Sequence, residues 1–163
     1  AQIDADGGTF TSWTDLGVEV PGCDDQTIVV VSRQHNTGTY AYFRDAVLAK
    51  SDFKLGTRDM HGSKDVVDLV EKTPCAIGYS GLAYATDHIK LGCVAKETGG
   101  SCVGPSVDSA IDGSYPIARP LFMYTNGEPT GHVGEYLNWI KSDEGQCLIL
   151  EKGYAPATEV NCS

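Results

Sequence analysis

Thr27-Ile28-Val29-Val30-Val31-Ser32 is the segment that most restricts the folds open to this chain. Its β-branched run shows no polar alternation, so a strand made from it must be covered on both faces, as in the parallel sheet of an α/β protein. A polar loop, Arg33-Gln34-His35-Asn36, follows at once, and Thr37-Gly38-Thr39 opens a segment with apolar residues at Tyr40, Phe43, Val47 and Leu48. Those four share one helical face, and Thr37 or Asn36 can serve as the N-cap. A buried strand running through a short polar loop into a helix N-terminus is suited to holding an anion. The first-turn N–H groups have no partner within the helix and sit at the positive end of its dipole. Gly38 lets the backbone approach a ligand closely. The hydroxyls of Thr37 and Thr39 add donors, and Arg33 adds a planar fork matched to two oxygens of one oxyanion. The competing plain reading is a capped helix beside a solvated arginine.

The same alternation continues downstream. Ser63 is expected to cap a second helix with Val66, Val67 and Val70 on its inner face, ended by Thr73-Pro74. Ala76–Tyr84 reads as a strand entering a turn or short helix. In Tyr115–Tyr124, Pro116 and Pro120 restrict the chain to an edge strand or an extended crossing segment. The tail predicts a helix with Val133, Tyr136, Leu137 and Ile140 on one face, a second around Glu144–Leu150, and a stop at Gly153. Trp139, Tyr136 and Phe122 are expected to pack this tail, or else to form an exposed patch for a partner chain. Strands alternating with helices predict an α/β fold.

Composition narrows the function classes. With 163 residues, 41% of them hydrophobic, the chain can bury a core as one domain or as part of a two-lobed protein. No apolar run approaches the ~20 residues that cross a bilayer. The 12 basic residues against 22 acidic ones leave a net charge of -10, which argues against general nucleic-acid binding but not against a small local anion site. The six cysteines include no C-x-x-C pair, and none of His35, His61, His88 and His132 stands at a metal-ligand spacing from them. No metal or other cofactor is therefore expected. Dispersed cysteines in even number read as disulfides formed in an oxidising compartment. Cys93 and Cys102 enclose a Gly-rich stretch able to turn back on itself and are expected to pair, while Cys23, Cys75, Cys147 and Cys162 leave three pairings open. A chain beginning at Ala1 is compatible with export after loss of a leader.

Other motifs carry less. Asp4-Ala5-Asp6-Gly7-Gly8 has the opening of a calcium loop, but Gly8 and Thr9 stand where a ligand and the turn glycine belong, which favours a solvated acidic segment. Ser80 lies between glycines without the G-x-S-x-G spacing, and no His–acid pair stands in recognisable relation to it, so no catalysis is expected. His61-Gly62-Ser63 is read first as a helix start and second as a neighbour of the anion loop. Arg119, beside Pro120, is read as a hinge residue or as a surface ion pair.

Several stretches, in order, resemble the periplasmic substrate-binding components of phosphate ABC transporters. Ser32-Arg33-Gln34-His35-Asn36-Thr37-Gly38-Thr39, with Phe43 following, is similar to that family's S-R-x-x-x-S-G-T…F loop. Thr11–Gly17, Thr73–Tyr84, Tyr115–Leu121, Ser142–Gln146 and Gly153–Pro156 resemble its I-T-N-W-K-D-L-G, T-P-G-A-I-G-Y-x-G-L-A-Y, Y-P-L-x-R-P-L, S-x-E-G-Q and G-Y-x-P stretches. The resemblance implies a type II periplasmic-binding-protein lobe with a mixed sheet flanked by helices, plus a C-terminal helical piece of a second lobe. Residues 1–17 would form an entry segment, 18–114 the anion-binding lobe, and 115–163 the returning segment.

It also implies inorganic phosphate as ligand, held by Arg33, Thr37, Gly38 and Thr39, with Ser32, His35 and Ser63 behind them. The implied partner is an ABC transporter permease, and the implied location is periplasmic or extracellular. The family often carries an acidic residue where Gln34, His35 and Asn36 stand, and a serine where Thr37 stands. The chain is expected to start near the first crossing between lobes. A complementary chain would then supply the opposite wall; one wall alone would bind much more weakly. The second reading from sequence is a paralogue acting as an interaction or structural module of the cell envelope.

Overall fold

A computed structural model describes residues 9–162; the Asp4–Gly8 stretch and the first part of the entry segment lie outside the described residues. The chain divides into two compact units between Lys90 and Leu91, whereas the sequence reading ends the anion-binding lobe at Ser114.

The first unit is built on β1 (Val29–Arg33), β2 (Arg58–Met60) and β3 (Ala76–Gly78), in the order β2-β1-β3. Both pairings are parallel, with Arg33 level with Met60 and Val31 level with Gly78. Where a mixed sheet was expected, the described strands are thus parallel. Antiparallel pairing among the described residues is confined to the isolated bridges Ser12–Thr27 and Val94–Val103. Helix α1 (Gly38–Ala46) connects β1 to β2, and α2 (Ser63–Glu71) connects β2 back across to β3. The first crossover runs from β1 to β2 and the second back past β1 to β3, so connections of the usual right hand put the two helices on opposite faces of the sheet.

Side-chain alternation along β1 and β3 agrees with this layering. Val31 is buried with Val66 and Val67 of α2, and Gly78 also faces α2. The next residue, Tyr79, turns to the other face, where its ring stacks on Phe43 of α1 at 3.9 Å. Phe53 joins this cluster, 4.7 Å from Tyr40 and 6.0 Å from Phe43. The β-branched run is covered on both sides toward its end, where Val31 and Ser32 are buried, while Ile28, Val29 and Val30 are half-buried and Thr27 is exposed.

The helix starts follow local chemistry. Thr37 is the N-cap of α1, and its Oγ1 accepts the N–H of Tyr40 at 3.2 Å. For α2 the cap is Gly62 and not the expected Ser63; the Asp65 carboxylate accepts the Gly62 N–H at 2.7 Å. Ser63 is already helical, which leaves its hydroxyl for another partner. Ahead of β1, Gln26 adopts φ 55°, a left-handed conformation that non-glycine residues rarely take. Its carboxamide holds that turn by accepting the Val20 N–H at 2.8 Å and donating to the Val20 carbonyl at 3.0 Å. Cys23 in this turn is bridged to Cys75, at the start of β3.

The second unit contains α3 (Val107–Ile111), α4 (Gly131–Lys141) and α5 (Asp143–Glu151). Helices α4 and α5 meet at a tight corner over Ser142, whose side chain caps α5. Gly145 is required there, because a Cβ would overlap the carbonyls of Trp139 and Ile140. Buried Gln146 ties the corner together, donating to the Ile140 carbonyl at 2.7 Å and accepting the Ala157 N–H at 2.6 Å. The expected Cys93–Cys102 bridge is present, and Cys147–Cys162 pins the tail to α5. Tyr115–Tyr124 forms no strand, and Phe122, Tyr136 and Trp139 are exposed instead of packing this unit. Among the described residues no helix is long and apolar enough to cross a membrane.

Two substitutions test this packing. A methyl group on Gly78 would lie 2.9 Å from Val66 Cγ1 and 3.2 Å from the Val31 carbonyl. Overpacking of this kind costs about 1–3 kcal/mol, more than the ~0.4–1 kcal/mol gained by restricting the unfolded chain. Gly78→Ala is therefore expected to lower the denaturant midpoint, and an unchanged midpoint would contradict the close α2–β3 contact. Removing Cys23–Cys75, which spans 52 residues, is expected to cost more than removing Cys93–Cys102, which spans 9. Loop-closure entropy puts these at about 4 and about 3 kcal/mol, an order that unfolding titrations of the paired Cys→Ala variants can check.

Candidate anion-binding site

The carboxyl ends of three parallel strands lie side by side, and each leads into a polar turn. Crevices at such ends are where open α/β sheets hold ligands. Here β1 leads to Gln34–Thr37 and the N-terminus of α1, β2 leads to His61-Gly62 and the N-terminus of α2, and β3 leads to Tyr79-Ser80.

Arg33, the last residue of β1, is only 8% exposed. Strand alternation sends its side chain to the α2 face. There Nη1 donates to Ser63 Oγ at 2.7 Å and Nη2 donates to the His61 carbonyl at 3.1 Å. Both partners are neutral. Arg33 Nε is buried with no hydrogen-bond partner among the described residues. Among the described residues no carboxylate hydrogen-bonds to the guanidinium at the start of α2, where the helix dipole is positive and Asp65 is occupied with the Gly62 N–H. A buried cation beside a positive helix end is unfavourable on its own and becomes favourable when an anion arrives. The unpaired N–H is a donor already stripped of water, the kind of group that needs an explanation when it is buried.

The residues behind Arg33 fix its backbone. Ser32 is fully buried, and its hydroxyl lies 2.8 Å from the Tyr79 hydroxyl. The same Tyr79 oxygen accepts the Arg33 N–H at 3.3 Å. Tyr79 thus joins the end of β1, the turn after β3 and the aromatic face of α1. Burial pushes its phenol above the ordinary value, opposed in part by the hydrogen bonds with Ser32 and the Arg33 backbone. Ser80, considered above as a nucleophile, donates its hydroxyl to the Ser63 carbonyl at 3.0 Å and so braces the first turn of α2.

Of the other residues read from sequence, Thr37 donates its hydroxyl to the Gln34 carbonyl at 2.8 Å while capping Tyr40. Its hydroxyl hydrogen is thus committed to the loop. The donors that α1 offers are its first-turn N–H groups, beginning at Gly38 and Thr39. Ser63 accepts from Arg33, which leaves its own hydroxyl hydrogen to donate. His35 is exposed on the turn, and it is His61 that meets the arginine, through its carbonyl. The His61 ring pairs with Gln34 Oε1 at 2.9 Å, closing the loop from outside. Sequence reasoning missed Tyr79 as a support; its place directly after β3 was legible, but its hydroxyl contacts, more than 40 positions away in the chain, were not.

Tyr79→Phe keeps the ring stack and deletes the oxygen shared by Ser32 and the Arg33 N–H. Stranding buried polar groups costs about 1–3 kcal/mol, so unfolding titrations should show a loss of that size. Because the Tyr79 pKa is raised on folding, its contribution is complete below the ordinary tyrosine value and is lost as pH rises through the folded one. The wild-type chain should lose stability above about pH 10, and the stability gap between the two proteins should narrow there.

Comparison with known proteins identifies the family and fold. The family model for the PBP superfamily domain matches residues 5–144. The phosphate-binding protein PstS of Pseudomonas aeruginosa is 32% identical over 149 residues, covering 89% of this chain and 46% of the relative. The Bacillus subtilis protein of the same name is 32% identical over 154 residues, covering 94% and 48% respectively. The chain spans about half the length of the curated relatives it matches. Among solved structures, a Clostridium perfringens protein with bound phosphate, described as a phosphate ABC transporter substrate-binding protein, superposes with a TM-score of 0.71 at 26% identity, over 91% of this chain and 58% of that one. A phosphate transport receptor from Vibrio cholerae shares the fold, with a TM-score of 0.66 at 21% identity, over 91% and 58%. With the domain match running through both units, the chain belongs to the PBP superfamily.

Proposed function

We propose that this chain supplies one wall of a receptor for inorganic phosphate, exported to the periplasm or cell exterior and working with an ABC transporter permease. The observation that carries the reading is the buried, uncompensated Arg33 guanidinium at the N-terminus of α2, next in space to the turn that begins α1. In this reading Arg33 Nε and the N–H groups of Gly38 and Thr39 bind phosphate oxygens. Thr37 shapes the turn, Ser63 orients the arginine and adds its hydroxyl hydrogen, and Ser32 holds the strand end through Tyr79. His35 lies at the exposed rim. Residues 18–114 are read as the lobe holding the anion and 115–163 as the returning part of the other. The names of the relatives support phosphate as the ligand and transport as the role. No reaction is assigned, since the site offers donors and a charge but no nucleophile–base pair: the hydroxyls of Ser80 and Thr37 are committed to backbone carbonyls.

Isothermal calorimetry of the chain with phosphate tests this. Losing charge-assisted hydrogen bonds of about 1.5–3 kcal/mol corresponds to roughly 10- to 100-fold weaker binding. Arg33→Ala is expected to show a loss of that order. Arg33→Lys keeps the charge but not the planar fork, and should recover only part of it. An Arg33→Ala protein that binds phosphate like the parent would sink the assignment. Sulfate should compete with phosphate, because the groups touching Arg33 include no carboxylate to accept a proton from the ligand.

A further inference from the structure

The turns after β1 and β2 are tied together twice, and the outer tie has no part in the site described above. On the inside, Arg33 donates to the His61 carbonyl and to Ser63 Oγ. On the outside, the His61 ring meets Gln34 Oε1 through Nδ1 at 2.9 Å. Gln34 is itself held at both backbone groups. Its N–H donates to the Met60 carbonyl at 3.1 Å, and its carbonyl accepts the N–H and the hydroxyl of Thr37, the cap of α1. His61 therefore joins the turn that begins α1 to the turn that begins α2, immediately ahead of the Gly62 cap. Only Cα and Cβ separate its ring from the carbonyl that holds the guanidinium.

The pairing with Gln34 decides which ring nitrogen can change. A carboxamide oxygen only accepts, so Nδ1 carries the hydrogen of this bond. Nε2 then takes up or releases a proton, and His61 is exposed, so that proton exchanges with solvent. Protonation at Nε2 leaves the bond to Gln34 intact, and the ring gains a unit charge without releasing either turn. The charged and titratable groups on the surrounding elements are Arg33 of β1, His35 of the Gln34–Thr37 turn, Arg58 and Asp59 of β2, Lys64 and Asp65 of α2, and Tyr79 after β3. Asp65 is engaged by the Gly62 N–H, and Lys64 by Asp68 at 2.6 Å. Among the described residues no carboxylate is paired with the His61 ring. The ring thus stands beside Arg33 and two helix N-termini, each of them positive.

We infer that His61 sets the affinity of this site through its charge: a divalent oxyanion binds together with a proton at Nε2, and more tightly as the pH falls through the range in which imidazoles change charge. The proton and the anion attract across the crevice, and by linkage each raises the affinity for the other. The inference rests on the reading of the Arg33 site as an anion site and adds a second, switchable charge to it. The sign follows from the chemistry. Arg33 is charged at every pH of interest, so it provides a constant attraction, whereas His61 adds to it only on the acid side.

Calorimetry of the full chain with sulfate tests this, because sulfate stays divalent over the range in which phosphate itself changes charge. Wild-type chain is expected to bind sulfate roughly fivefold more tightly at about pH 5.5 than at about pH 8, the order of effect of one unit charge near a divalent anion in a partly solvated site. His61→Gln keeps a hydrogen-bonding side chain for Gln34 but no titrating group, and should bind equally at both. His61→Lys carries its charge throughout, and at about pH 8 should match the wild type at about pH 5.5. A wild-type affinity that does not change with pH, a rise that persists in His61→Gln, or a rise that His35→Gln removes would each overturn the inference. Those results leave the Arg33 reading in place as long as Arg33→Ala weakens sulfate binding at both pH values. Sulfate binding that is absent, or untouched by Arg33→Ala, would remove the anion site and this inference with it.

Discussion

The contact between the Arg33 guanidinium and the first turn of α2 governs the first unit. It joins the end of the central strand to the helix that covers one face of the sheet, through Ser63 and the His61 carbonyl. Because those partners are neutral, the contact secures the position of the charge without cancelling it. An acidic partner would have made a self-sufficient ion pair with little attraction left for a ligand. Neutral partners leave a preorganised cation whose electrostatic need is met from outside. The burial of Ser32 and the Tyr79 hydroxyl behind it serve the same end, since a guanidinium held at one end only would swing into solvent.

The sheet supplies the rigidity this requires. Three short strands would be a weak platform alone, but β3 is held from several sides. Cys75 at its start is bridged to Cys23, and its carbonyl accepts both the Val29 N–H and the Trp13 indole N–H, the latter at 3.0 Å. Gly78 lets α2 approach within contact of β1 and β3, and Tyr79 then crosses to the aromatic cluster on α1. Two helices on opposite faces are thus tied to one strand end, and their N-termini open toward the same crevice. Local positive charge in a chain of net charge -10 arises from this convergence of dipoles and one arginine, not from basic composition.

The second unit presents the reverse balance. Its fixed features are polar or steric: Gln146 spanning the corner, Gly145 admitting two carbonyls, and two disulfides. Its apolar residues lie mostly outside, in Leu121–Tyr124 and on one stripe of α4. Such a unit is shaped less by a core of its own than by cross-links.

Residues acting within one turn of chain were legible from sequence. The strand read at Thr27–Ser32 and found at Val29–Arg33, the Thr37 cap, the apolar stripe of α2, the stop at Gly153 and the short Cys93–Cys102 bridge all arise from neighbours interacting over a few positions. The cap of α2 moved by one residue because Asp65 reaches back to the Gly62 N–H, which releases Ser63 for Arg33. The parallel sheet, the Cys23–Cys75 and Cys147–Cys162 pairings, and the Tyr79 link needed the folded chain, for they join segments whose separation carries no local signal. From sequence alone came an α/β chain with an arginine, a threonine-rich turn and a helix start in the right order for an anion. Only the tertiary structure decided that the arginine is buried, that its partners are neutral, and that a second helix N-terminus meets it, because these depend on which strand ends lie side by side.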